Sequence, residues 1–131
     1  MSDQTLVRFR PTPAAVAMAR EQLDRIRDRL TDQAYEDSRL MVSELVTNSL
    51  RHASLAIDEE IELVMAMRGA TLRVEVGDPG PGFEPRPRAD GDSAESGWGL
   101  FLVARLADRW GVDRDGLLRV WFELDGAARA S

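Results

Sequence analysis

Cysteine and lysine are both absent from the chain, and histidine occurs once. Without cysteine there are no disulfides and no thiolate metal site. A single histidine leaves too few nitrogen ligands for an all-protein zinc centre. Without lysine, all 17 basic residues are arginine, and the phosphate-binding lysine of P-loop proteins and kinases is excluded. Coding bias is the plain explanation, yet any nucleotide chemistry here must use magnesium, helix N-termini and arginine. No stretch approaches the ~18 apolar residues of a membrane span, and Met1 to Arg10 has no apolar core of signal-peptide length. A cytoplasmic protein without a membrane partner is expected. The net charge is −6 and no basic run offsets it, which disfavours direct nucleic-acid binding, because a phosphate backbone would be repelled.

What is present is an ordinary globular composition, 44% hydrophobic and 31% charged. At 131 residues, one domain covering 1–131 is expected, burying about two-thirds of its unfolded surface. Leu6 to Arg10 reads as a short strand, with Val7 and Phe9 on one face and Leu6 apart. Thr12-Pro13 has the form of an N-cap followed by proline at the first helical position. It opens a helix from Pro13 to about Leu30, with Val16, Leu23, Ile26 and Leu30 inward. Thr31 and Asp32 offer a cap for a second helix, about Gln33 to Ala53, and Ser54 to Glu59 is a connecting loop. Two alternating strands follow. Ile61, Leu63, Met65 and Met67 oppose Glu60 and Glu62; then, after a turn at Arg68-Gly69-Ala70, Leu72, Val74 and Val76 oppose Thr71, Arg73 and Glu75.

From Asp78 to Ser96 the chain turns polar and rich in glycine and proline, too long for a plain connection. It is a functional lid, about 79–96, or a disordered insert. Gly97-Trp98-Gly99 then opens a third helix with Leu100, Val103, Ala107 and Trp110 on one face and Gly111 as its C′ residue. A last hairpin starts at Val112, turns at Asp115-Gly116, and alternates Leu118, Val120, Phe122 and Leu124 against Arg119, Trp121 and Glu123. The tail, about 126–131, should fray. The order β-α-α-β-β-(lid)-α-β-β predicts an α+β two-layer sandwich, with helices on one face of a mainly antiparallel sheet.

The second helix carries the stretch Ser43-Glu44-Leu45-Val46-Thr47-Asn48-Ser49-Leu50-Arg51-His52-Ala53. Apolar residues recur at 42, 45, 46, 50 and 53, while Glu44, Asn48 and Arg51 line one stripe on the opposite side. A carboxylate that takes a proton, an amide oxygen that ligates a hard cation and a guanidinium that pairs with phosphate suit a metal–phosphate site. Alone, the column reads rather as a solvated helix face, and only the two later stretches turn that reading round. Asp78-Pro79-Gly80-Pro81-Gly82 follows a strand. Its aspartate is placed to accept a hydrogen bond from an amino group such as that of adenine, or to cap its own turn. Gly97-Trp98-Gly99-Leu100 offers free N–H groups at a helix start to an anion, or is a plain hinge.

In this order, Glu-x-x-x-Asn on a helix, Asp-x-Gly-x-Gly after a strand and Gly-x-Gly-Leu before a helix resemble the N, G1 and G2 boxes of the GHKL (Bergerat-fold) ATPases. The resemblance covers residues from about 5 to 125. Within that superfamily, Glu-Leu-Val-Thr-Asn-Ser-Leu-Arg-His-Ala, Leu-Ala-Asp-Arg-Trp-Gly-Val and Val-Trp-Phe-Glu-Leu look like the small anti-sigma-factor serine kinases of actinobacteria. Those kinases phosphorylate a serine of a STAS-type anti-anti-sigma protein and also sequester a sigma factor. The resemblance implies ATP and Mg²⁺ as cofactors, with Asn48 the Mg²⁺ ligand and Glu44 the base that polarises the attacking hydroxyl. It implies Arg51 as a phosphate contact, Asp78 as reader of the adenine amino group, and Gly80 and Gly82 as the adenine side of the pocket. Gly97, Gly99 and Leu100 would hold the phosphates. Arg86 and Arg88 are lid candidates to close on them, or parts of a solvated loop.

His52, near a helix C-terminus, is read as a structural or supporting residue. Trp98 departs from the smaller or charged residues of the family pattern. The rival reading is a nucleotide-dependent partner-binding module with little kinase turnover; Glu44 argues against it, because binding alone needs no carboxylate beside the γ-phosphate. A histidine-kinase catalytic domain ranks last, with no dimerising hairpin bearing a phospho-acceptor histidine before the ATPase part. Val7, Phe9 and the first helix offer a surface for a homodimer, which family members often form.

Overall fold

A computed structural model of the chain describes residues 3–52, 59–79 and 98–130. The expectations placed on Gly80, Gly82, Arg86, Arg88 and Gly97, and on the lid beyond Pro79, lie outside these residues. The described elements run β1 (Asp3–Phe9), α1 (Ala14–Arg25), a 3₁₀ turn (Arg27–Arg29), α2 (Asp32–His52), β2 (Ile61–Arg68), β3 (Thr71–Asp78), α3 (Trp98–Leu106), β4 (Arg109–Asp115) and β5 (Leu117–Leu124). The strands form one five-stranded sheet in the order β1-β2-β3-β5-β4, every pairing antiparallel. The expected α+β two-layer sandwich is what the chain adopts.

Alternation sets the layers. Leu63, Val74, Val76 and Phe122 point to the helices and are buried, as are Phe9, Leu72 and Leu124. α2 packs over β3 and β5 in the middle of the sheet, between α1 and α3. Each inward Leu or Phe stabilises by roughly 1.5–3 kcal/mol when fully removed from water, so the sheet's inner face anchors α2. The outer face carries ion pairs, which is where many of the arginines go. Arg119 donates to Glu62 at 2.8 Å and Asp115 at 3.1 Å, and Arg73 donates to Glu123 at 3.0 Å. The Arg73 guanidinium also stacks 4.2 Å over the Trp121 ring.

Four local expectations are corrected. The first helix ends at Arg25 because Ile26 leaves helical geometry and the chain tightens into the 3₁₀ turn. Its start has no side-chain cap: Pro13 is the capping residue, and Ala15 N–H donates to Thr12 O at 2.9 Å. The third helix stops at Leu106, not Trp110, because Asp108 N–H donates to Glu123 O at 2.9 Å and draws the chain into β4. Gly111 is therefore a strand residue. The Trp121 ring crosses it so closely that an added Cβ would meet the ring at 2.7 Å. By contrast, the hairpin turn at Asp115-Gly116 stands as expected, with Gly116 at φ 94 between the paired Asp115 and Leu117.

The tail does not fray within 126–130. Ala127 is buried, its N–H donates to Ala70 O at 2.7 Å, and its carbonyl accepts from Thr31 N–H at 2.9 Å. Arg129 N–H donates to Arg29 O at 2.8 Å, while its guanidinium reaches Leu30 O at 3.0 Å and Asp32 at 2.7 Å. Val7 and Phe9 are likewise not a dimer surface: Phe9 is buried in the core and Val7 packs against it. On the edge strand β1 the exposed apolar side chain is Leu6.

Candidate functional site

α2 begins where Thr31 and Asp32 predict, with Ala34 N–H donating to Thr31 Oγ1 at 3.1 Å. Its far end carries Glu44, Asn48 and Arg51, but not on a solvated stripe. Asn48 is 4% exposed, Glu44 is half-buried and Arg51 is exposed. The physical reason is that α2 is covered by α1 and α3 as well as by the sheet. Its buried arc is therefore wide enough to take in Asn48 and Ser49 beside Leu45 and Val46.

Asn48 shares a cavity with Asp78, the last residue of β3. Leu45, Asn48 and Ser49 of α2 form one wall, Val76, Asp78, Leu118 and Val120 of the sheet form the floor, and Leu100 of α3 closes the other side. Thus Asn48, Asp78 and Leu100, distant in sequence, meet as the three-motif reading requires. Glu44 lies one helical turn, ~5.4 Å of rise, before Asn48. Gly99 falls in the first turn of α3, and Glu44 and Arg51 are not among the described residues that line the cavity.

Two polar side chains in this apolar enclosure behave differently. Asp78 is 4% exposed and accepts a 2.8 Å hydrogen bond from the Ser49 hydroxyl, itself 6% exposed. The Asn48 side-chain nitrogen is buried and, among the described residues, has no hydrogen-bond partner. An orphaned buried donor costs about 1–3 kcal/mol, an expense a fold tolerates when the group awaits something outside the protein. A carboxamide whose nitrogen no described residue holds can turn its oxygen to a hard cation, so the residue fits magnesium. Among the described residues no three His, Asp or Glu side chains group together to cage a metal.

Sequence reasoning did not single out Ser49, nor the floor of Val76, Leu118 and Val120. The floor was legible as the inward phase of β3 and β5. Ser49 had one signal, a hydroxyl next to Asn48 on an otherwise apolar flank of the helix.

Comparison with known proteins agrees with this geometry. The histidine kinase-like ATPase domain family model matches residues 9–122. A protein named serine-protein kinase RsbW from Listeria monocytogenes serotype 4a (strain HCC23) is 32% identical over 122 aligned positions, covering 82% of this chain and 78% of its own. Its namesake from Listeria innocua serovar 6a is 31% identical with the same coverage. The crystal structure of the RsbU and RsbW domains of Rv1364c from Mycobacterium tuberculosis superposes with a TM-score of 0.74 over 98% of this chain, at 17% identity. This chain spans only 34% of that one, and the likeness is one of fold. The fold and the cavity define a nucleotide-binding domain of the histidine kinase-like ATPase class. Within that class, the chain belongs to the family of the RsbW serine-protein kinases.

Proposed function

We propose that the chain is an ATP-dependent serine-protein kinase acting as an anti-sigma regulator. Its substrate is a serine of a STAS-type anti-anti-sigma partner, and its second partner is a sigma factor. The observation that carries the proposal is the buried Asn48 amide, whose nitrogen has no partner among the described residues and which shares one apolar cavity with Asp78.

In this reading Asp78, at the end of β3, accepts a hydrogen bond from the adenine amino group, and the apolar floor packs against the ring. Asn48 offers its amide oxygen to Mg²⁺, which when bound neutralises charge on the phosphates. Arg51, exposed at the end of α2, reaches outward to phosphate oxygens. Gly99, in the first turn of α3, adds backbone N–H groups at the other end, and Leu100 packs beneath them. Glu44 polarises the attacking serine hydroxyl. The serine oxygen forms a bond to the γ-phosphorus, the bond to the bridging oxygen of ADP breaks, and the hydroxyl proton passes to the Glu44 carboxylate. The transition state is loose, so orientation and charge neutralisation carry more of the rate than deprotonation.

The cavity is about 10 Å³, room for about one water. Among the described residues no helix is long and apolar enough to cross a membrane, and a cytoplasmic setting is part of the proposal.

The test is transfer of labelled γ-phosphate to a purified STAS-domain protein, wild type against Glu44→Ala. Serine phosphorylation by wild type and its loss in the variant are expected. Nucleotide binding without transfer to any such protein would leave a partner-binding module instead.

A further inference from the structure

The cavity floor has a reverse side. Val76 and Asp78 of β3 line the cavity, as do Leu118 and Val120 of β5. The residues between them, Gly77 and Arg119, are register partners on the outer face of the sheet. Arg119 therefore lies directly behind the floor. Its guanidinium crosses β3 and donates to Glu62 on β2 at 2.8 Å, while its Nε donates to Asp115 at 3.1 Å. Glu62 is 8% exposed and also pairs with Arg8 on β1 at 3.3 Å. Arg8, Glu62, Gly77 and Arg119 are successive partners in register, so a row of charges runs across the sheet beneath the site. The crossing needs Gly77. A Cβ there would meet Arg119 Cγ and Leu117 Cδ1 at 3.3 Å and Arg119 Nη1 at 3.4 Å, so that these neighbours would have to give by a few tenths of an ångström. Gly77 is not one of the glycines at positive φ. Close approach, and not backbone freedom, accounts for it.

We infer that Gly77 and Arg119 are positioning residues for the nucleotide site: the arginine lies flush over the glycine, and that contact fixes the spacing and twist of the β3–β5 floor on which the base rests. The inference rests on the nucleotide reading of the same cavity and deepens it. Stability alone does not explain the pair. A glycine inside a strand weakens it, and a mostly buried ion pair gains little once its desolvation is counted. What the two features supply together is geometry. A shift of Arg119 passes to the floor because the interior above it is close-packed and cannot absorb the movement. Another outer-face pair offers the contrast. Arg73 and Glu123 bond at 3.0 Å across the same two strands, and their neighbours Val74 and Phe122 are not among the described residues that line the cavity.

The experiment measures Mg·ATP affinity by calorimetry, well below each protein's melting temperature. Wild type is compared with Gly77→Ala, Arg119→Ala, the double variant, Glu62→Gln and Glu123→Gln. Gly77→Ala should weaken binding roughly tenfold, the scale expected when a site held to about half an ångström is displaced by a few tenths. In the Arg119→Ala background the same alanine should cost little further, because the side chain that crosses it is gone. Glu62→Gln keeps the shape and removes the charge. It should weaken binding several-fold, and it carries the test if Gly77→Ala does not fold. Glu123→Gln should lower the melting temperature comparably yet leave affinity at the wild-type level, a split that a merely structural role for the row would not produce. Gly77→Ala with wild-type affinity, or with the same loss whether or not Arg119 is present, would overturn the inference and leave the nucleotide reading intact. Equal losses of affinity in Glu62→Gln and Glu123→Gln, or none in Glu62→Gln, would do the same. Wild type that bound no Mg·ATP would overturn both.

Discussion

At the first turn of α2, Thr31 Oγ1 accepts from Ala34 N–H, Thr31 N–H donates to Ala127 O, and Arg129 bridges Leu30 O and Asp32. At the other end of the same 21-residue helix, the Asn48 amide is buried with a nitrogen that has no partner among the described residues, and the Ser49 hydroxyl has left its own helix for Asp78. One end is satisfied by the protein's own groups; the other holds a buried polar atom that no described residue satisfies. The difference teaches that stability and ligand readiness are segregated along one rigid element. Such segregation is a sound way to hold a site within fractions of an ångström, since the helix is fixed by contacts that the ligand never touches.

The comparison can be broken from the anchored end first. Deleting residues 126–131 removes several backbone bonds and the Arg129 contacts, each worth about 0.5–1.5 kcal/mol. Chemical denaturation should report a loss of about 3–4 kcal/mol in total, while ATP affinity of the folded fraction stays near that of the full chain. At the open end the pattern reverses. Asn48→Ala should weaken Mg·ATP binding at least tenfold to a hundredfold, the range seen even for groups that only support a metal ligand. Its melting temperature should hold or rise, because an unsatisfied donor is removed and alanine is the better helix former. Thr31→Ala is the milder probe of the anchored end. It should cost about 1 kcal/mol of unfolding free energy, with nucleotide affinity unchanged by titration calorimetry.

The smallest effect concerns acid. Hydrogen bonds from Arg109 hold the carboxyls of Glu123 and Asp125 below their ordinary values of 4.5 and 3.8. Depressed values mean that these groups stabilise the fold at neutral pH, and that the contribution fades as pH falls below about 4.5 and through the folded-state values. Unfolding midpoints should therefore drop over that acid range, and Arg109→Ala should flatten the drop. Because these pairs lie on the sheet's outer face, ATP affinity at neutral pH should not respond.

Most of the fold was legible because its signals are local. The alternation in β2, β3 and β5, the glycine turns and the Thr31 cap each follow from a few neighbouring residues. The misjudged features depend on contacts from elsewhere in the chain. The length of α3 is set by Asp108 meeting Glu123, the role of Gly111 by the Trp121 ring above it, and the order of the tail by Ala70 and Thr31. The site divides the same way. Spacing along α2 was enough to pick out Glu44, Asn48 and Arg51, yet the burial of Asn48 comes from three covering elements, which no helical periodicity reports. Ser49 was missed because its meaning lies in the partner it chooses. Asp78, at a strand end before a glycine-rich stretch, was legible from its position alone.

The central claim is that the open end of α2 and the end of β3 form one adenine-nucleotide site. Calorimetric titration of Mg·ATP into the intact chain and into Asp78→Ala tests it most directly. The account predicts a saturable one-to-one heat for the wild-type chain and its loss in the variant. Equal heats from both proteins, or none from the wild type, would contradict it.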